Sequence, residues 1–228
     1  MQILFIRHAQ SQNNALFLTT GGRYGRVSDP ELTEIGKSQT ECLTTYLAQQ
    51  ADQFNLTHIY TSLMQRAIIT AIPVAKALAL PLRGEVDLHE SGGLYLEDEE
   101  TGEPVGQPGR NRAEFLKVFP GLILPEQMDG NGWYNRPFEP QPERPVRARR
   151  IMDWLLTNHP NPSDHVAVFS HYGFFNYFLW ALFGQVRPIN SLFTIYNTSL
   201  SLFEINEEGP TAVYINRVDH LPPELVTE

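Results

Sequence analysis

The stretch that decides the fold is QILFIRH at residues 2–8. Gln2–Ile6 is almost entirely apolar, as expected of a short strand buried on both faces of a sheet. Arg7 and His8 follow directly, and neighbours in a regular strand point to opposite faces. Both can reach one ligand only where the chain leaves the strand. In open α/β sheets, ligands bind beyond the carboxyl ends of the strands, so this pair is expected at such an edge.

Further apolar runs and helical periodicities alternate along the rest of the chain. Strands are predicted at His58–Thr61, Leu82–Leu88, His165–Ser170, Ser199–Ile205 and Ala212–Val218. Helices are predicted from Thr33 to about Gln50, Ser62 to about Leu80, Arg112 to Phe119, Glu143 to about Asn158, and Tyr172 to Phe183. Thr33 and Ser62 are candidate N-caps, and Pro73 is expected to kink or end its helix. The alternation predicts an α/β fold: a mostly parallel central sheet with helices on both faces.

Residues 92–150 differ from the rest in their many glycines and prolines and in an acidic patch, Glu97–Glu100. We interpret this segment as a large insertion, or lid, over the sheet within a single domain of residues 1–228. Trp133 and Tyr134 are expected either in the lid or packed beneath its loop. The arginines between residues 144 and 150 predict an exposed helix face.

Composition excludes several classes of protein. The net charge of -9 argues against nucleic acid or an anionic membrane as a partner. The longest apolar run, Phe174–Phe183, is too short to span a bilayer, and no secretory signal is evident. Cys42 is the only cysteine, so neither an internal disulfide nor a cysteine-based metal site is possible. A cytoplasmic protein is expected, and its oligomeric state stays open.

Side chains able to do chemistry stand where four predicted strands end. Arg7-His8 follows the first strand, Arg66 opens the helix after His58–Thr61, Glu90 comes just after Leu82–Leu88, and His171 follows His165–Ser170. Helical side chains lean toward the helix N-terminus, which aims Arg66 at the first loop. Each residue alone is more often a packing or surface feature. Together they predict an anion site, because a forked guanidinium can hold two phosphate oxygens.

The same residues, in the same order, resemble the histidine phosphatase (phosphoglycerate mutase-like) superfamily. The matching segments span residues 3–175 and comprise Arg7-His8 with Ser11 and Asn14, Leu32–Gly36, Ser62–Ala67, Glu90, and His171–Gly173. Ala9 departs from the usual glycine, which matters only if the backbone there needs a positive φ. Tyr172 replaces a commonly small residue and is expected to narrow the pocket or to stack on a substrate.

The resemblance implies a role for each residue. His8 would attack phosphorus and carry the phosphoryl group. Arg7, Arg66 and His171 would hold the phosphate oxygens with help from Asn14, and Glu90 would move the proton. Arg23, Arg110 and Tyr172 are further candidates for substrate binding, although a solvated helix start is slightly favoured for Arg110. No cofactor or metal is implied, and no His-x-His or His-Glu-x-x-His spacing suggests a metallohydrolase.

Three functions remain open. A phosphatase acting on a small phosphorylated substrate is favoured. A phosphoglycerate mutase would use the same phosphohistidine, but residues 16–27, with Arg23, Tyr24 and Arg26, do not match the mutase pattern. The third function is a non-catalytic phosphate-binding scaffold, which the presence of both histidines, both arginines and Glu90 disfavours.

Overall fold

The fold is known from a computed structural model that describes residues 1–21, 25–184 and 193–228. The strands are β1 (Gln2–Arg7), β2 (His58–Ser62), β3 (Leu82–Glu85), β4 (Tyr95–Glu97), β5 (Pro104–Gly106), β6 (Leu122–Ile123), β7 (His165–Ser170), β8 (Leu200–Asn206) and β9 (Gly209–Arg217). The helices are α1 (Gln12–Thr20), α2 (Glu34–Gln49), α3 (Ala51–Phe54), α4 (Gln65–Ala77), α5 (Arg112–Val118), α6 (Glu143–Asn158) and α7 (Tyr172–Leu182). Single 3₁₀ turns occur at Val86–Leu88 and Pro223–Leu225.

The central sheet has the order β6-β3-β2-β7-β1-β8-β9. The first five strands are parallel neighbours, and β8 and β9 add antiparallel edges. The carboxyl ends of β3, β2, β7 and β1 therefore meet at one edge of the sheet. The predicted α/β class, with its mostly parallel sheet and antiparallel final hairpin, is confirmed.

Two core clusters cover opposite faces of this sheet. Leu4 and Ile6 of β1 pack with apolar residues of α2 and α4, whereas Ile3 and Phe5 pack with those of α6 and α7. This division follows from the period of two in a strand. The buried ring of Phe5 meets the ring of Phe175 at a centroid distance of 4.9 Å. Burying one such side chain stabilises the fold by about 1.5–3 kcal/mol.

Local differences from the predicted elements have physical causes. Thr33 caps α2 as predicted, accepting the Gly36 N–H, but Ser62 does not cap α4. The N-cap position belongs to Met64, and the Ser62 hydroxyl instead accepts the Met64 N–H at 3.2 Å. Pro73 does not end α4, which continues to Ala77. The strand predicted to reach residue 88 stops at residue 85, where the 3₁₀ turn begins.

The 92–150 segment does not lie only over the sheet, because its β6 extends the sheet edge beside β3. Trp133 and Tyr134 are buried beneath its loop. The expected exposed arginine face is wrong for Arg147, which is 2% exposed. Its guanidinium pairs with Glu139 at 2.5 Å, so the charge is neutralised inside the protein. Among the described residues, no helix combines the length and apolarity needed to cross a membrane.

Candidate active site

A cavity of about 410 Å³ opens at the carboxyl ends of the parallel strands. Its walls combine basic, polar and apolar side chains: Arg7, His8, Ser11, Asn13, Asn14, Phe17, Leu18, Arg26, Arg66, Glu90, Tyr172, Thr194 and Glu228. The four predicted strand ends therefore converge on one place. This lining suits an anion with an organic part, because it includes both charged and apolar side chains.

The ring of His8 is held in one orientation. Its Nδ1 lies 2.7 Å from the carbonyl oxygen of Ala9. A carbonyl can only accept, so Nδ1 carries the hydrogen and Nε2 holds the lone pair. The Asn197 amide donates to the His8 carbonyl at 2.9 Å and fixes the backbone behind the ring. Ala9 does not have a positive φ, and its methyl group is therefore tolerated.

Two arginines line the cavity with His8. The Nε–H of Arg66 donates to His8 Nε2 at 3.2 Å, which confirms that the start of α4 aims this side chain at the first loop. Arg7 donates to the carbonyl oxygen of Ile195, and its guanidinium lies 5.5 Å from the ring centroid of Tyr172. Tyr172 thus forms a wall of the cavity and supports one of its cations.

Burial and neighbouring charge keep the imidazoles neutral. Burial lowers the pKa of His8 well below its usual value, and the charges of Arg66 and Arg7 lower it further. Burial also lowers the pKa of Arg7 to about 10, so that its guanidinium remains charged at neutral pH. The site therefore combines an uncharged nucleophile with positive groups, a combination suited to a phosphate dianion.

His171 lies beside His8, with their ring centroids 5.0 Å apart. It is fully buried, and neither of its ring nitrogens has a hydrogen-bond partner among the residues that the structure describes. Burial, followed by the charge of Arg66, lowers its pKa well below the usual value. An unpaired buried imidazole is costly. Its two nitrogens are therefore candidates to bind a group that enters the site.

Glu90 is anchored to the start of α7. Its carboxylate accepts the N–H groups of Ser91 at 2.7 Å, Gly173 at 3.1 Å and Phe174 at 2.9 Å. A negative charge at a helix N-terminus is favourable. Residue 173 must be small, because a Cβ on Gly173 would lie 2.5 Å from Glu90 Oε1. The glycine after the second histidine thus lets the carboxylate approach the helix and face the cavity.

The remaining predicted binding residues have different surroundings. The Oδ1 atom of Asn14 accepts the backbone N–H of Ser11 at 3.0 Å, and the side chain lines the cavity. Arg110 does not line it, because its guanidinium donates to Asp29 at 3.1 Å and to Gln65 at 2.8 Å. Arg23 lies outside the described residues.

Sequence reasoning missed part of the cavity wall, chiefly Phe17, Leu18, Thr194 and Glu228. Phe17 and Leu18 are exposed apolar residues of α1. Their position just after the Arg7-His8 motif could have identified them as part of the cavity wall. Thr194 and Glu228 come from distant parts of the chain, and nothing local marks them. Arg26 was noted in the sequence only for its failure to match the mutase pattern.

The fold and site define a class: an α/β protein with a histidine–arginine anion site at the carboxyl ends of its parallel strands. The chain belongs to the histidine phosphatase superfamily (branch 1), whose profile matches residues 3–218. This match confirms the resemblance recognised in the sequence.

Known proteins resemble the chain to different extents. Phosphoserine phosphatase 1 of Hydrogenobacter thermophilus is 35% identical over 77 residues, which cover 34% of this chain and 32% of that protein. The chain thus matches only about a third of that relative's length. The phosphoserine phosphatase of Entamoeba histolytica, solved with 3-phosphoglyceric acid, superposes with a TM-score of 0.64 at 19% identity, covering 97% of this chain and 99% of that one. A mycobacterial glucosyl-3-phosphoglycerate phosphatase gives 0.60 at 18%, covering 94% and 98%. At these identities the likeness extends to the fold.

Proposed function

We propose that the protein is a phosphomonoester phosphatase that acts through a phosphohistidine on His8. The observation that carries this proposal is the geometry around His8 Nε2. His8 lines the cavity, its Nε2 lone pair accepts the Arg66 Nε–H at 3.2 Å, and its Nδ1 donates to the Ala9 carbonyl. The lone pair would become available to phosphorus when the Arg66 N–H turns to a phosphate oxygen. A neutral imidazole nucleophile and a forked cation are thus in place at one point.

Hydrolysis would proceed in two steps. In the first, His8 Nε2 forms a bond to phosphorus while the bond to the substrate oxygen breaks, and the protonated form of Glu90 gives that oxygen its proton and becomes a carboxylate. In the second, the Glu90 carboxylate takes a proton from water, whose oxygen attacks phosphorus and releases phosphate from His8. Arg7, Arg66 and His171 would bind the equatorial oxygens throughout, with Asn14 assisting.

The chemistry needs no metal, because the arginines already supply positive charge to the phosphoryl oxygens. Activity is therefore expected to survive a chelator.

The lone cysteine, Cys42, is unpaired and agrees with the expected reducing, cytoplasmic setting.

The substrate we favour is a small phosphorylated metabolite with a second charged group. Arg26 lines the cavity, and its guanidinium lies 5.2 Å from the ring centroid of Tyr95. We infer that its charge binds a carboxylate of the substrate. Glu228 lines the same cavity and would suit an ammonium group. The relatives named for phosphoserine and glucosyl-3-phosphoglycerate act on phosphate esters of this general kind.

The test is to compare wild-type protein with His8→Ala on p-nitrophenyl phosphate, phosphoserine and 3-phosphoglycerate, measuring released phosphate. We expect release by the wild type and a loss of at least about 1,000-fold in His8→Ala. Arg26→Ala should raise KM for the two carboxylate-bearing esters and leave KM for p-nitrophenyl phosphate unchanged. Arg149→Ala, at an exposed position of α6, is the matched control. Conversion of 3-phosphoglycerate to its isomer without phosphate release would identify a mutase. A wild type as inactive as His8→Ala would identify a scaffold.

A further inference from the structure

A second cluster of side chains that could bind a metal lies at the amino ends of the parallel strands, opposite the end that carries His8. His58 begins β2, Asp164 directly precedes β7, and His159 follows the last residue of α6. Within the described ranges, this is the one trio of histidine, cysteine or acidic residues whose ligand atoms all lie within 4.8 Å of one another. Because β2 and β7 are parallel, their first residues are remote from the edge that carries His8.

The central member of the cluster has an unused nitrogen. His159 is 3% exposed, and no described residue forms a hydrogen bond with its Nδ1. The Asp164 carboxylate is the nearest acidic group, with Oδ2 at 3.6 Å from Nδ1, which is too long for a hydrogen bond. The other nitrogen, Nε2, lies 3.1 Å from the hydroxyl of Tyr60. A buried nitrogen that faces a carboxylate without bonding to it calls for an explanation.

Hydrogen bonds also determine which nitrogen of His58 holds the lone pair. The Thr57 hydroxyl donates its hydrogen to the His165 carbonyl at 3.1 Å. The Thr57 oxygen can then only accept from His58 Nδ1, which lies 2.9 Å away. His58 Nδ1 therefore carries the hydrogen, and the lone pair is on Nε2. Histidine ligands of metals are oriented in this way, by donating their second N–H to an oxygen.

The two imidazoles of the cluster lie side by side. The ring centroids of His58 and His159 are 4.4 Å apart. The ring of Tyr60 packs edge-on against Trp154, with centroids 4.9 Å apart, and forms an aromatic wall beside His159.

We propose that His58, His159 and Asp164 form a binding site for a divalent transition-metal ion of the Zn²⁺ class. Two imidazoles and one carboxylate are a donor set that Zn²⁺ accepts, with water completing the coordination. Tetrahedral ligands at about 2.0–2.2 Å lie about 3.4 Å apart, so the three side chains would close slightly around the ion. The ion would join the starts of β2 and β7 to the end of α6. This role is structural and separate from the proposed phosphatase chemistry.

Metal-stripped full-length protein would be titrated with ZnCl₂ by calorimetry, and with CoCl₂ while the visible absorption of the Co²⁺ complex is recorded. The background is His8→Ala, because His8 and His171 are themselves close enough to compete for a metal. We expect one ion per chain and a raised Tm. His58→Gln and Asp164→Asn should each weaken binding at least about 100-fold, a loss at least as large as that from altering outer-shell partners of a metal.

His220→Gln serves as the matched control, because His220 lies outside the trio and should bind nothing. His159 is too deeply buried to be the only test, whereas Asp164→Asn changes one atom of a partly exposed side chain. The proposal is overturned if the metal-stripped chain takes up no Zn²⁺ at micromolar concentrations. It is also overturned if Asp164→Asn and His58→Gln bind as tightly as their parent, or if the bound ion does not raise Tm.

Discussion

Replacing Gly173 by alanine tests the placement of Glu90 most sharply. The added Cβ would lie 2.5 Å from Glu90 Oε1, whereas ordinary contact begins at 3.4 Å, so the carboxylate must move by about 0.9 Å. That movement disrupts the bonds from the Gly173 and Phe174 N–H groups. A misplacement of about 1 Å in a catalytic group can cost about 100-fold in rate. We therefore expect kcat to fall about 100-fold, equivalent to about 2.7 kcal/mol in the barrier.

The assay is steady-state release of phosphate from p-nitrophenyl phosphate, with circular dichroism and Tm to confirm folding. Competitive inhibition by inorganic phosphate should change little, because the groups around His8 stay in place. Gly121→Ala is the matched control, since nothing lies within 4 Å of a Cβ at that position. In a Glu90→Gln background, Gly173→Ala should have no further effect on kcat. A folded Gly173→Ala enzyme with kcat within about threefold of wild type would refute the reasoning.

Three further predictions concern stability. A Cβ on Gly36 would lie 2.1 Å from the Gln10 carbonyl oxygen, so Gly36→Ala should lower the free energy of unfolding by about 1–3 kcal/mol or more in urea, while Gly130→Ala stays neutral. Arg147→Met leaves Glu139 buried without its ion-pair partner and should lower the free energy of unfolding by about 3–5 kcal/mol. Adding Glu139→Leu should recover most of this loss, and an unchanged urea midpoint in the single variant would contradict the prediction. Buried neutral histidines take up protons only on unfolding, so the free energy of unfolding should fall as the pH drops below 6.5. The fall down to pH 5.5 should be about 1 kcal/mol per histidine. A free energy of unfolding that does not change over this pH range would show that these rings titrate normally. The histidines concerned are His8, His89 and His171.

The placement of the site was predictable because it depends on local sequence and one topological rule. Short apolar runs marked the strands, and the residues after them carried the chemistry. Parallel strands share one edge for their carboxyl ends. Arg7, Arg66, Glu90 and His171 therefore had to approach one another once β1, β2, β3 and β7 were neighbours in the sheet.

The features that could not be predicted depend on contacts between side chains that are distant in sequence, and the local composition gives no sign of these contacts. An arginine-rich helix resembles a solvated face, and the burial of Arg147 follows only from Glu139 and the carbonyl oxygens of Asp87 and His89. Arg110 was a candidate for substrate binding or a solvated helix start, but its guanidinium pairs with Asp29. The trio of His58, His159 and Asp164 is likewise assembled by the pairing of β2 with β7 and by the end of α6, and it has no spacing signature.

The central claim is that His8 carries the phosphoryl group, and the direct test is to trap it. Enzyme mixed with radiolabelled p-nitrophenyl phosphate would be quenched in alkali, where phosphohistidine survives, and the labelled peptide would be mapped. We predict acid-labile label on the peptide that contains His8 and none in His8→Ala. Label on a different residue, or full turnover by His8→Ala, would contradict the account.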